Sequence, residues 1–204
     1  ALEAGYKPLS DFIKDGIHLL PGDKVFAEYN EKTMVLYHIG EDSLENGMNI
    51  LGAHIDSPRI DVKQNPLYET EDLAYLDTHY YGGIRKYQWA AIPLALHGAV
   101  ALADGSVLNV KIGEDENDPV FYISDLLPHL AAKQNAKPLG EGIEGEQLNI
   151  WFGNVPYVAA ENEKDKTVKE NVLKILNEKY GIKEEDFLCA ELSLVPSFKA
   201  KDIG

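Results

Sequence analysis

Residues 48–56, Met-Asn-Ile-Leu-Gly-Ala-His-Ile-Asp, constrain this chain more than any other segment. They form an almost continuous apolar run of strand length that closes on a histidine and an aspartate. Side chains alternate across a pleat, so a strand apolar at nearly every position is one covered on both faces. At its end, His54 and Asp56 stand two residues apart and are expected on the same face.

The remainder of the chain can supply the cover. Of 204 residues, 45% are hydrophobic and 26% charged, a balance that allows one or two packed domains and excludes disorder and coiled coil. Thirty-four acidic against nineteen basic side chains give a formal charge of −15. A field of that sign repels phosphate backbones and anionic lipid, so no nucleic acid and no membrane surface is expected as a partner, and a neutral or cationic small substrate fits better. The single cysteine, Cys189, cannot form an internal disulfide. Between Phe187, Leu188 and Ala190 it is expected to be a buried, inert thiol in a reducing compartment. The first twenty residues carry Glu3, Lys7, Asp11, Lys14 and Asp15 and lack a signal-peptide core, and the longest apolar stretch, 89–96, falls far short of the roughly 20 residues of a membrane helix. A cytoplasmic location is expected. Ala1 is not an initiator methionine and the chain stops directly after an apolar run, so the sequence is expected to be part of something longer.

Periodicity organises the flanks. Leu9, Phe12, Ile13, Ile17 and Leu20 are spaced for a short helix with Ser10-Asp11 as its cap, broken at Pro21-Gly22-Asp23. Alternation at Val25, Ala27 and Tyr29, the turn Asn30-Glu31-Lys32 and the run 33–39 predict a β-hairpin. Pro58 and Pro66 punctuate an extended stretch, Gly82-Gly83 mark a turn, and the domain boundary is placed near residue 90. Residues 91–101 and 107–112 read as two strands joined at Ala103-Asp104-Gly105, the first also compatible with helix. A short helix with a serine cap is predicted over 124–133, a strand over 148–152 and a helix over 164–180. In the last of these Val168, Val172, Leu176 and Tyr180 share a face, Leu173 and Ile175 widen it, and Gly181 supplies the stop. A strand over 187–195 ends at Pro196.

The sharpest chemical feature is Gly52-Ala-His-Ile-Asp-Ser-Pro58. Imidazole suits zinc or cobalt, and a metal-bound histidine needs its second ring nitrogen fixed by a carboxylate or carbonyl. An aspartate two residues on can do that, or orient a neighbouring carboxylate. The competing reading makes His54 a satisfied core histidine and Asp56 the cap of a turn.

Longer blocks favour the metal. The chain resembles the M18 family of metallo-aminopeptidases, the aspartyl-aminopeptidase-like group in its bacterial branch. The likeness rests on Gly52-Ala-His-Ile-Asp-Ser-Pro-Arg59, Asn65-Pro-Leu-Tyr68, His79-Tyr-Tyr-Gly-Gly-Ile84 with Tyr87-Gln-Trp89, Ile92-Pro-Leu-Ala-Leu-His-Gly98, Gly113-Glu-Asp-Glu-Asn-Asp-Pro119, and Ala190-Glu-Leu192 with Val195-Pro196. The resemblance implies an α/β fold: a partial zinc-exopeptidase-type catalytic domain, residues 1–90, with an inserted β-rich α/β oligomerisation domain, residues 91–204. It implies a two-metal aminopeptidase, zinc as a rule with cobalt or manganese as alternatives, acting on peptides as a homo-oligomer, either a dimer or an assembly of dimers. His54 carries over as a metal ligand and Asp56 as the carboxylate that assists the site. The family's bridging Asp, its Glu-Glu pair with the general base, a further carboxylate and a distant His have no equivalent here and are expected beyond residue 204. A catalytic zinc takes about three protein ligands, so these 204 residues alone are expected not to hydrolyse peptides. The alternatives are an oligomerisation module without catalysis and a binding protein that reuses the fold.

Other candidates weigh less. Related two-domain metallopeptidases complete a site with a residue from a neighbouring subunit, and Lys86 lies near that position; the competing reading of 79–86 is a packed aromatic turn with an exposed basic pair, Arg85-Lys86. Arg59, Arg85 and Lys86 are the candidates for recognising an acidic substrate residue. His97 reads as a core or interface histidine, and His129 as surface; His18 and His38 have no carboxylate at ligand spacing. The cluster 114–118 lacks EF-hand spacing for calcium. Residues 140–145 lack the basic groups of a phosphate loop, and there is no Gly-x-Ser-x-Gly.

Overall fold

Alternating residues followed by a β-branched and aromatic run produce the expected hairpin. Strand β1 (Lys7–Pro8) leads into helix α1 (Leu9–Asp15), and β2 (Lys24–Tyr29) pairs antiparallel with β3 (Thr33–His38) from Lys24↔His38 to Tyr29↔Thr33. The computed structural model describes residues 1–30, 32–157 and 167–204, so Glu31 of the predicted turn lies outside the described residues. β1 adds in parallel to β2, giving a three-stranded sheet in the order β1-β2-β3. Helix α1 is shorter than its periodicity suggests. Pro8 occupies the cap with no side-chain hydrogen bond, Ser10 lies inside the first turn, and Gly16 at φ 63° closes the helix.

The predicted strand over 48–56 does not form. Residues 47–58 have no regular structure and are exposed, Leu51 fully so and Ile50 at 78%. A strand needs a neighbour for its backbone hydrogen bonds and layers for its side chains, and none of the described strands pairs with this segment.

Contacts divide the chain into two compact units, Ala1–Ile55 and Asp56–Gly204, a division earlier than the boundary read near residue 90. The reason is a hairpin before residue 90. β4 (Arg59–Thr70) and β5 (Leu73–Tyr81) pair antiparallel and join β6 (Leu94–Ala101), β7 (Val107–Ile112), β8 (Ile150–Gly153) and β9 (Ala190–Pro196) in one sheet, ordered β7-β6-β9-β4-β5-β8. The sequence hid this hairpin behind Pro66, a residue normally excluded from strand interiors. The register of β4 shifts between Val62 and Leu67, with Asn65 at φ 52°, so the proline sits in an irregularity of the ladder. The turn is equally disguised: Glu71 and Asp72 take φ 49° and 56° without a glycine.

β6 is a strand and not the alternative helix, because it is paired on both edges, with β7 and with β9. The helix predicted over 124–133 is displaced to a single turn, α2 (Ala132–Asn135), with no serine cap. Asp125 takes the N–H of Leu126 at 2.8 Å and the side-chain amide of Gln134 at 2.9 Å, a local alternative to helical bonding. Helix α3 (Val168–Tyr180) begins at Thr167, whose hydroxyl accepts the Glu170 N–H while Glu170 returns a bond to the Thr167 N–H. Residues 164–166 of that prediction lie outside the described residues. Val168, Val172 and Leu176 are buried against the sheet, whereas Ile175 is exposed and does not widen the face. Their core partners include Ile60, Leu76, Leu94, Ile150 and Leu194. A 3-10 turn, Glu184–Cys189, precedes β9, buries Phe187 and turns Cys189 to solvent, so the thiol is exposed rather than buried. Among the described residues no helix is long and apolar enough to cross a membrane.

Candidate functional site

Register brings the polar end of the apolar run to the β4–β5 hairpin. Arg59, the first residue of β4, pairs with Tyr81, the last of β5. The Tyr81 hydroxyl donates to Asp56 Oδ2 at 2.7 Å, and that bond raises the phenol above its ordinary pKa. The Arg59 guanidinium lies 4.2 Å from the centre of the same ring, while its Nε donates to Asp61 Oδ1 at 2.7 Å. One residue further, Gly82 takes φ +77°, and a Cβ built there would stand 3.5 Å from the Pro58 ring. Residues 56–59 are thus held at both ends by one corner of the sheet. The sequence flagged Tyr81 only within an aromatic turn; its pairing with Arg59 was the missing signal, and that depended on recognising the hairpin.

His54 lies in the irregular exposed segment 47–58, so its presentation with Asp56 on one strand face is not realised. The types of donor suit zinc: an imidazole, and a carboxylate already held by an outer hydrogen bond. Their number does not complete a site. Among the described residues no group of three or more His, Cys, Asp or Glu could hold a metal ion. The residues present offer donor types that suit zinc but not the number that a zinc site takes, and no catalytic step is derived through the metal.

The remaining candidates are occupied elsewhere. The His79 and Tyr80 rings stack at 5.3 Å, and Lys86 Nζ sits 5.6 Å from the Tyr80 ring. Arg85 donates to the Tyr87 hydroxyl at 3.3 Å. His97 Nε2 lies 2.9 Å from Glu114 Oε1, and Lys111 Nζ lies 2.8 Å from the other oxygen, holding Glu114 below the ordinary carboxylate pKa. Asp118 accepts the N–H groups of Gly113 at 2.9 Å and Asp115 at 3.4 Å, which lower its pKa as well. Glu114 and Asp118 of the acidic loop are therefore engaged by His97, Lys111 and the loop's own backbone, not by a common centre for calcium. His18, His38 and His129 are exposed.

Comparison with known proteins gives this α/β chain its class. The family model described as aminopeptidase I zinc metalloprotease (M18) matches residues 1–204. A probable M18 family aminopeptidase 1 of Clostridium acetobutylicum is 53% identical over 204 residues, covering 100% of this chain and 43% of that protein. Another, from Thermotoga maritima, is 46% identical over 202 residues, or 99% of this chain and 43% of the relative. The crystal structure of aminopeptidase I from C. acetobutylicum matches with a TM-score of 0.89 and 49% identity, over 100% of this chain and 44% of that one. The T. maritima M18 aminopeptidase structure matches at 0.86 and 43% identity, over 99% and 43%. The chain belongs to the M18 peptidase family. It spans less than half the length of these relatives.

Proposed function

We propose that this chain is part of a zinc-dependent aminopeptidase of the M18 type, which removes N-terminal residues from peptides. The observation that carries the proposal is the family match along residues 1–204 together with 53% identity to the clostridial relative. His54 is assigned as a zinc ligand and Asp56 as the carboxylate that supports it. Zinc supplies such an enzyme with a Lewis acid and an activated water. Two zinc ions per full-length subunit are proposed, with cobalt or manganese as alternatives.

The first unit and the β4–β5 region up to residue 90 are assigned to the catalytic domain, and residues 91–204 to an inserted domain that drives homo-oligomerisation through dimers. A row of rings supports self-association: Tyr68 stacks on Tyr75 at 5.4 Å, Trp151 meets Tyr75 edge-on at 6.2 Å, and Tyr122 meets Trp151 at 6.0 Å, the last two rings being exposed. The charge of −15 supports a peptide substrate over nucleic acid or membrane.

The test uses the full-length polypeptide that carries this chain. Purified protein is expected to contain zinc, to release p-nitroaniline from aminoacyl-p-nitroanilides, and to leave N-acetylated analogues uncut. His54→Ala is expected to lose metal and activity together. Full activity and unchanged zinc in His54→Ala would remove that residue from the site, and absence of any metal-dependent exopeptidase activity would overturn the proposal.

A further inference from the structure

We propose that Tyr81 is a positioning residue for Asp56, and that the Arg59–Tyr81 pair fixes the aspartate through the sheet. The inference rests on the assignment of His54 and Asp56 to a zinc site. Asp56 lies in an exposed, irregular segment, and a side chain from regular structure reaches its carboxylate. The Tyr81 hydroxyl does so at 2.7 Å, from the terminal residue of β5.

Three features stiffen that donor. Tyr81 is locked in register opposite Arg59, the Arg59 guanidinium covers the ring at 4.2 Å, and Asp61 holds Arg59 Nε at 2.7 Å. The guanidinium is thereby aimed by one carboxylate while it fixes the phenol that binds another. The sequence Arg59-Ile-Asp61 on β4 supplies both members of the ion pair from alternate positions of one strand, which share a face. Partners one shell outside a metal ligand typically change metal affinity by about 10–100-fold when removed. Asp56 is such a partner of His54, and a phenol acting through Asp56 stands one step further out, so its removal falls at the lower end of that range.

The experiment is a double-mutant cycle in the full-length protein. Tyr81→Phe keeps the ring under Arg59 and removes only the hydroxyl. Zinc affinity is measured by competition with a chromophoric chelator, and kcat and KM on an aminoacyl-p-nitroanilide. Tyr81→Phe is expected to weaken zinc binding by about tenfold and to lower kcat with KM little changed. In an Asp56→Ala background the same replacement is expected to do nothing further, because the acceptor it acts through has gone. If His54→Ala and Asp56→Ala alter zinc binding while Tyr81→Phe leaves it at the wild-type value, the positioning role is wrong and the zinc assignment stands. If Tyr81→Phe acts equally in both backgrounds, it does not work through Asp56 and the proposal also fails. If neither His54→Ala nor Asp56→Ala changes zinc affinity, the assignment beneath it fails as well.

Discussion

Gly98 sits in the middle of β6 at φ +142°, paired with Val110 on one side and Leu192 on the other. A Cβ built there runs into the Glu191 carbonyl oxygen and stands 2.9 Å from Leu192 Cα, both backbone atoms that cannot swing aside. Gly98→Ala is therefore expected to cost about 3 kcal/mol, combining backbone strain with overpacking, and a lowered urea midpoint of the purified protein would register it. Asp118 offers a test of opposite character, because its contribution depends on charge. The Gly113 and Asp115 N–H groups depress its pKa below the unfolded value. A depressed carboxylate stabilises the fold fully above its unfolded pKa, and that contribution fades as pH falls through the folded pKa. Asp118→Asn is thus expected to lower the urea midpoint at neutral pH, and the gap to wild type is expected to close under acid conditions. A gap of constant size from neutral to acid pH would mean that the carboxylate charge plays no part in holding the loop.

At the scale of elements, the helix α3 shows what a sequence states directly. Thr167 and Glu170 form a reciprocal cap, three buried residues repeat every four positions, and Gly181 closes the end at φ 71°. All of this is local chemistry, legible without any partner. Thr167→Ala removes the cap and is expected to destabilise by about 1 kcal/mol, again read as a urea midpoint. The β4–β5 hairpin is the reverse case. Its turn residues occupy left-handed backbone without the usual glycine, and its proline is tolerated only because the ladder shifts. Both facts belong to tertiary pairing, so the sequence presented an extended stretch where a strand pair exists. Asp72→Gly restores the residue type that φ 56° favours. It is expected to raise the urea midpoint of the purified protein, because relief of the left-handed strain exceeds the entropy that glycine adds to the unfolded chain. The functional site inherits the same limit. His54 and Asp56 could be picked out as a motif, but Tyr81 acquires its role only when β5 is laid beside β4 in register.

For the molecule as a whole, the informative feature is apolar surface in an unexpected place. Ile50, Leu51 and Ile55 are 78%, 100% and 74% exposed, in the segment whose composition most strongly asks for cover on both faces. The chain spans 43% of the length of its clostridial relative, so a longer polypeptide has ample chain with which to supply that cover. We expect the 204-residue polypeptide, produced as such, to be cut by chymotrypsin within residues 47–58 and to show no aminopeptidase activity, because its described residues contain no complete metal-binding group. In the full-length protein the same bonds are expected to resist cleavage, since a segment covered by further chain cannot enter a protease cleft without local unfolding. N-terminal sequencing of the fragments checks both halves of the expectation. Equal cleavage in the two proteins would mean that the apolar run stays uncovered, and His54 would then lack the rigid support that a zinc ligand needs. Protection confined to the full-length protein, appearing together with metal-dependent hydrolysis, would tie the ordering of this segment to the formation of the site.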